Sequence, residues 1–90
     1  MQKNKDIMIE FTRQENGMYQ YTMLGKRGTM QIEMAEGGRV VLYANLSGMT
    51  PCVVASEFSD NVIINLAYTN DVTLTFQCEK AVVRAKFVEA

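Results

Sequence analysis

Apolar and polar residues alternate with a period of two along most of this 90-residue chain. In the clearest stretch, Met30, Ile32 and Met34 alternate with polar positions, which is typical of a strand buried on one face. No window of comparable length shows the period of a helix. Because Gly, Asn, Asp and Pro residues separate such stretches, the pattern predicts an all-β protein of about eight short strands.

The spacing of these stretches indicates how the strands are connected. Strands of about six residues that are joined by hairpin-sized turns favour consecutive antiparallel pairs. We expect one all-β domain over residues 1–90, and it is either a small antiparallel β-sandwich or a closed barrel. The last strand, residues 82–88, is expected at an edge, because Arg84 and Lys86 project from one of its faces and charges commonly guard edges.

The central strands of this prediction are apolar on both faces. A strand shielded by loops would explain the pattern, but contiguous apolar residues on a flat sheet also invite contact with another protein. We therefore expect a protein-interaction or self-association module, which binds a protein partner or forms a homodimer at micromolar concentration. The candidate interface residues project away from the predicted core and are Val41, Tyr43, Ile63 and Ala67.

The seven methionines support an alternative function. Methionine is flexible and fills irregular spaces, so the interior of a small β-barrel could hold an apolar ligand. An interior cavity above about 300 Å³, the low end for ligand pockets, would favour this alternative. The residues expected to line that interior are Met23, Met30, Met34, Leu42 and Phe76.

The chain has no His, no Trp and only two Cys. Without His, it cannot form a Ser-His or Cys-His nucleophile pair or an imidazole metal site, so we expect no catalytic residues, no metal site and no cofactor. Cys78 continues an apolar series that includes Leu74 and Phe76, and we expect it in the core. A disulfide between Cys78 and Cys52 stays open, because the sequence does not show their separation.

The net charge is −1, so the chain lacks the basic excess of a typical nucleic-acid-binding domain. It also lacks the run of about 20 apolar residues that a transmembrane helix needs. We expect neither a nucleic-acid nor a membrane partner. The N-terminal residues do not contain the apolar core of a secretory signal. The protein is thus expected to be cytoplasmic if Met1 is its native start, and otherwise to be exported with its signal removed.

Turn residues should also divide charge between the two ends of the fold. In a series of antiparallel strands, alternate turns lie at the same end, and four of these turns carry acidic residues. This pole could gather oxygen ligands for a cation or dock a basic partner, although solvated carboxylates in turns are commoner. Its candidate residues are Glu15, Glu36, Asp60 and Glu79.

Overall fold

The computed structural model describes residues 5–90 and is all-β. Its strands are β1 (Lys5–Ile9), β2 (Thr12–Arg13), β3 (Tyr19–Asn45), β4 (Cys52–Cys78) and β5 (Val82–Glu89). They form one antiparallel sheet that curls into an open half-barrel. The all-β prediction is confirmed. The expectation of an eight-stranded sandwich or closed barrel is wrong, because the described strands are five and the curled sheet stays open.

The predicted short strands merge because most of the expected turns are bends inside two long strands. β3 and β4 each contain 27 residues and pair with each other as one hairpin closed by residues 46–51. Their register shifts between Gly25 and Arg27 and again between Glu33 and Gly38. Such irregularities bend a strand and increase its twist without ending it. The glycine-rich segments therefore curl the hairpin while leaving its pairing largely continuous.

The far end of β4 holds the curl in place. Residues 40–44 of β3 pair with residues 52–57 of β4 in the hairpin, and residues 40–45 also pair with residues 73–78 of the same strand. Leu42, for example, lies between Ala55 and Phe76. The hairpin is thus folded over, so that both ends of β4 pair with the same segment of β3.

β5 lies between β1 and residues 28–34 of β3, and pairs antiparallel with both. The prediction of an edge position is therefore wrong for residues 85–88, which pair on both sides, whereas residues 82–84 have no partner in β1. Arg84 forms a cross-strand ion pair, in which its guanidinium donates hydrogen bonds of 2.8–3.0 Å to the Glu33 carboxylate on β3. These hydrogen bonds lower the pKa of Glu33 below its ordinary value near 4.5. Arg84 thus links β5 to β3 at the end of β5 that β1 does not cover.

The core lies on the concave face of the sheet. Its fully buried side chains come from alternate positions of β3 and β4, and include Met30, Ile32, Leu42, Leu74, Phe76 and Cys78. The buried position predicted for Cys78 is confirmed, and burial raises the pKa of its thiol from about 9.0 to about 12. Cys52 is exposed, and both cysteines are free. The pair therefore forms no disulfide.

Candidate functional site

The structure divides the four candidate interface residues between two parts of the sheet. Val41 and Tyr43 are half-buried in β3, where Tyr43 lies across from Val53 and Thr75. Ile63 and Ala67 are exposed on β4, across from residues 31 and 27 of β3. Within residues 5–90, no strand pairing joins segment 38–45 to segment 61–67. The four residues are therefore not cross-strand neighbours in one patch.

Val41 and Tyr43 instead share the outer face of the hairpin with two residues that the sequence pattern did not single out. Directly paired side chains project from the same face of a sheet, and Val53 pairs with Tyr43 while Phe58 pairs with Arg39. Val53 is 56% exposed and Phe58 63% exposed. We call Val41, Tyr43, Val53 and Phe58 the hairpin face.

Arg39 fixes one end of the hairpin face. Its Nη1 atom donates a 3.0 Å hydrogen bond to Ser56 Oγ, and its guanidinium carbon lies 5.7 Å from the centre of the Phe58 ring. A guanidinium over an aromatic ring is a favourable cation–π contact. Phe58 is therefore held in place although most of its surface faces solvent.

The hairpin face borders an open edge of the sheet. Residues 52–58 of β4 pair with β3 on one side, and no strand within the described residues pairs with their other side. Natural edges are commonly protected by lysine, proline, short length or a bulge. This segment has Glu57 as its single charged residue, no lysine, and a register shift near Val54. We call it the 52–58 edge, and it offers unpaired backbone groups and exposed apolar side chains to another strand.

The acidic pole is mixed in charge. Glu36 forms an ion pair with Lys80 at 3.6 Å, and the Glu79 carboxylate accepts a 3.1 Å hydrogen bond from the backbone N–H of Arg39. Asp60 follows Ser59, which lies across from Gly38, so three of the predicted turns do meet at this end. Lys80 and Arg39 offset the acidic charge there.

Glu15 belongs to the tight turn that follows β2. In that turn, the Gln14 N–H donates to the Met18 carbonyl at 2.7 Å and the Gly17 N–H donates to the Gln14 carbonyl at 2.9 Å. Nowhere in the described chain do three or more His, Cys, Asp or Glu side chains form a group that could hold a metal ion. The basic-partner alternative stays a prediction for the pole.

The interior that was expected to hold a ligand is filled by its own side chains. Met30, Leu42 and Phe76 are completely buried, Met34 is nearly so, and Met23 packs against this cluster. Open space lies at the surface instead. One groove of about 400 Å³, here called the mouth groove, opens between the turn that closes the β3–β4 hairpin and the segment of β4 near Tyr68.

This mouth groove is lined mainly by apolar side chains. Its lining residues are Ala44, Asn45, Leu46, Met49, Thr50, Cys52, Val54, Tyr68 and Val72. None of them is charged. Two of the polar groups bond to nearby backbone, because Asn45 Nδ2 donates to the Leu46 carbonyl at 3.1 Å and Cys52 Sγ donates to the Ala44 carbonyl at 3.6 Å.

A second depression, of about 550 Å³, has the opposite character. Lys26, Arg27, Asp71 and Glu89 all line it. Positive and negative side chains are mixed there, so the depression carries no strong field of one sign.

Comparison of the chain with protein-family models, with curated proteins and with solved structures finds no match. Within residues 5–90, no helix is long and apolar enough to cross a membrane. The hairpin face, the 52–58 edge and the mouth groove are therefore the features from which a function can be inferred.

Proposed function

We propose that this protein is a non-enzymatic interaction module that self-associates by pairing the 52–58 edge of two copies. One observation carries the proposal: residues 52–58 are paired on one side only, and exposed apolar side chains flank that open side. Val53 and Phe58 project from the outer face, and Val54 lines the mouth groove. A second strand would satisfy the unpaired backbone groups and cover these side chains together.

Two copies of one edge are complementary when a two-fold axis relates them. Such an axis makes the two edges antiparallel, and an antiparallel pair repeats the same hydrogen bonds on both sides of the axis. With the axis at Ala55, Glu57 of one copy lies across from Val53 of the other, and Phe58 lies across from Cys52. The two Glu57 carboxylates are then several residues apart, so the pairing brings no like charges together.

The size of this contact indicates a weak dimer. Seven residues of strand span about 23 Å at about 3.3 Å per residue. One strand edge covers less than the roughly 800 Å² per partner of a standard interface. We therefore expect dissociation in the micromolar range. Added salt should change the affinity little, because apolar contacts and backbone hydrogen bonds hold the two copies together.

Light scattering over a range of protein concentrations tests the proposal. The unmodified chain should pass from monomer to dimer, and Val53→Lys should raise the dissociation constant at least tenfold, because an edge lysine opposes strand addition. Tyr43→Glu should weaken the dimer through the adjoining hairpin face.

Val83→Lys is the matched control, because Val83 is 67% exposed but lies on β5. This variant should dimerise normally. A strict monomer at high concentration would refute self-association. A dimer that Val53→Lys and Val83→Lys affect equally would place the contact elsewhere.

A further inference from the structure

We propose that the mouth groove binds a small, neutral, mostly hydrocarbon molecule that carries a hydrogen-bonding group. This site goes beyond the proposed self-association, because most of its lining lies outside the 52–58 edge, with which it shares only Cys52 and Val54. The proposal rests on the size of the groove, on its apolar rim and on the absence of charge in its lining.

The groove is open to solvent and has the volume of a small-molecule site. Its volume of about 400 Å³ falls within the roughly 300–1,000 Å³ of ligand pockets. Ala44 and Val72 are buried core residues that form its floor, whereas Leu46 and Met49 are exposed at its rim. Exposed apolar rim residues are unfavourable in water and become favourable when a ligand covers them.

The chemistry of the lining selects a neutral ligand. An ion that enters an apolar groove loses hydration and needs an opposite charge to replace it. The groove offers none, and Asn45 and Cys52 already bond to backbone carbonyls. A fatty acid or an alkylamine would therefore bind poorly, because its charged group would lose hydration without gaining an opposite charge. An alcohol of the same chain length carries no charge and does not have this cost.

Two hydroxyl groups in the lining can bond to the polar end of such a ligand. Tyr68 is half-buried and Thr50 is exposed, and both line the groove. A hydroxyl both donates and accepts, so either residue can bond to an alcohol or a carbonyl. Met49 adds a flexible side chain at the rim that can adapt to the shape of the hydrocarbon part.

Fluorescence with a neutral naphthylamine dye, N-phenyl-1-naphthylamine, tests binding to the full chain. The dye should brighten on binding, and decanol should displace it at a concentration at least tenfold below that of decanoate or decylamine. Met49→Asp should weaken dye binding at least tenfold, because it puts a charge at the rim. Leu24→Asp is the control, because Leu24 is 68% exposed, comparable to Met49 at 65%, but lies outside the groove.

Cys52 supplies an independent readout of the same site. It lines the groove and is exposed, whereas Cys78 is fully buried and should not react with a thiol reagent in the folded protein. Because Cys52 also belongs to the 52–58 edge, its modification is followed in Val53→Lys, where decanol should slow it, and in Val53→Lys combined with Met49→Asp, where decanol should leave it unchanged. Val53→Lys should bind the dye normally, so failure of self-association and failure of ligand binding can be told apart.

Several results would overturn the proposal. Absence of dye binding would remove the site. Equal effects of Met49→Asp and Leu24→Asp, or no protection of Cys52, would place the dye elsewhere on the protein. Equal displacement by decanol and decanoate would refute the neutral ligand class.

Discussion

Replacement of Phe76 by alanine should destabilise this fold more than any surface change. Phe76 is completely buried and lies between Tyr21 and Leu42 in the doubly paired part of the sheet. The side chain therefore contributes both to the core and to the packing that holds the curl. Its removal leaves a cavity that neighbouring strands, fixed by hydrogen bonds on both sides, can close only in part.

The magnitude follows from burial and from the cavity. Burial of a phenylalanine side chain contributes about 1.5 to 3 kcal/mol, and a residual cavity adds about 24 cal/mol for each Å³. The expected loss in the free energy of unfolding is about 3 to 5 kcal/mol. Domains of this size are stable by only about 5 to 15 kcal/mol. The melting temperature should fall by at least about 12 °C.

Urea unfolding followed by circular dichroism measures this loss, and Phe58→Ala provides the matched control. Phe58 is the same residue type but 63% exposed, so its replacement should cost less than about 0.5 kcal/mol in the monomer. Both variants should be measured at two protein concentrations, because dimer formation adds to apparent stability. A loss below about 1 kcal/mol for Phe76→Ala, or equal losses for the two variants, would refute the assigned core.

Two further predictions concern backbone pairing. Amide hydrogen exchange should be uniformly slow over residues 85–88 of β5, because these residues pair with both β1 and β3. Along the 52–58 edge of the monomer, every second amide should exchange fast, because only one side of that segment is paired. Fast exchange throughout β5 would contradict the observed strand order. Gly28→Ala should clearly lower the melting temperature in thermal unfolding, because a Cβ atom at Gly28 would lie 2.6 Å from the Val88 carbonyl oxygen and against the Phe87 ring. Gly37→Ala should have little effect, since a Cβ atom there would have the Phe58 ring at 3.5 Å as its nearest neighbour. Similar melting temperatures for the two variants would refute the close approach of β3 to β5.

The buried face of the sheet could be predicted from the sequence because burial follows local alternation. Met30 and Ile32 show the period of two directly, and Cys78 extends the series of Leu74 and Phe76. The number of strands could not be predicted in the same way. Glycine-rich segments such as residues 25–28 can either end a strand or bend it at a bulge, and the sequence pattern is the same in both cases.

The candidate surfaces depend on contacts between distant residues, which local patterns do not encode. Val41 and Ile63 both project away from the core, but the register places them beside different neighbours. The central position of β5 depends on pairing between residues at opposite ends of the chain. The mouth groove includes Leu46 and Met49, which lie in a turn and therefore have no strand period.

Pairing of β1 with β5 also brings the two ends of the described chain together. Lys5 lies across from Glu89 in the sheet, so a short linker could join them without disturbing either strand. New termini could then be opened in the turn of residues 46–51, which contributes no strand of its own. Such a circular permutant would keep every strand pairing of the half-barrel. The backbone could thus run through all the strands as a closed ring, even though the sheet itself is open.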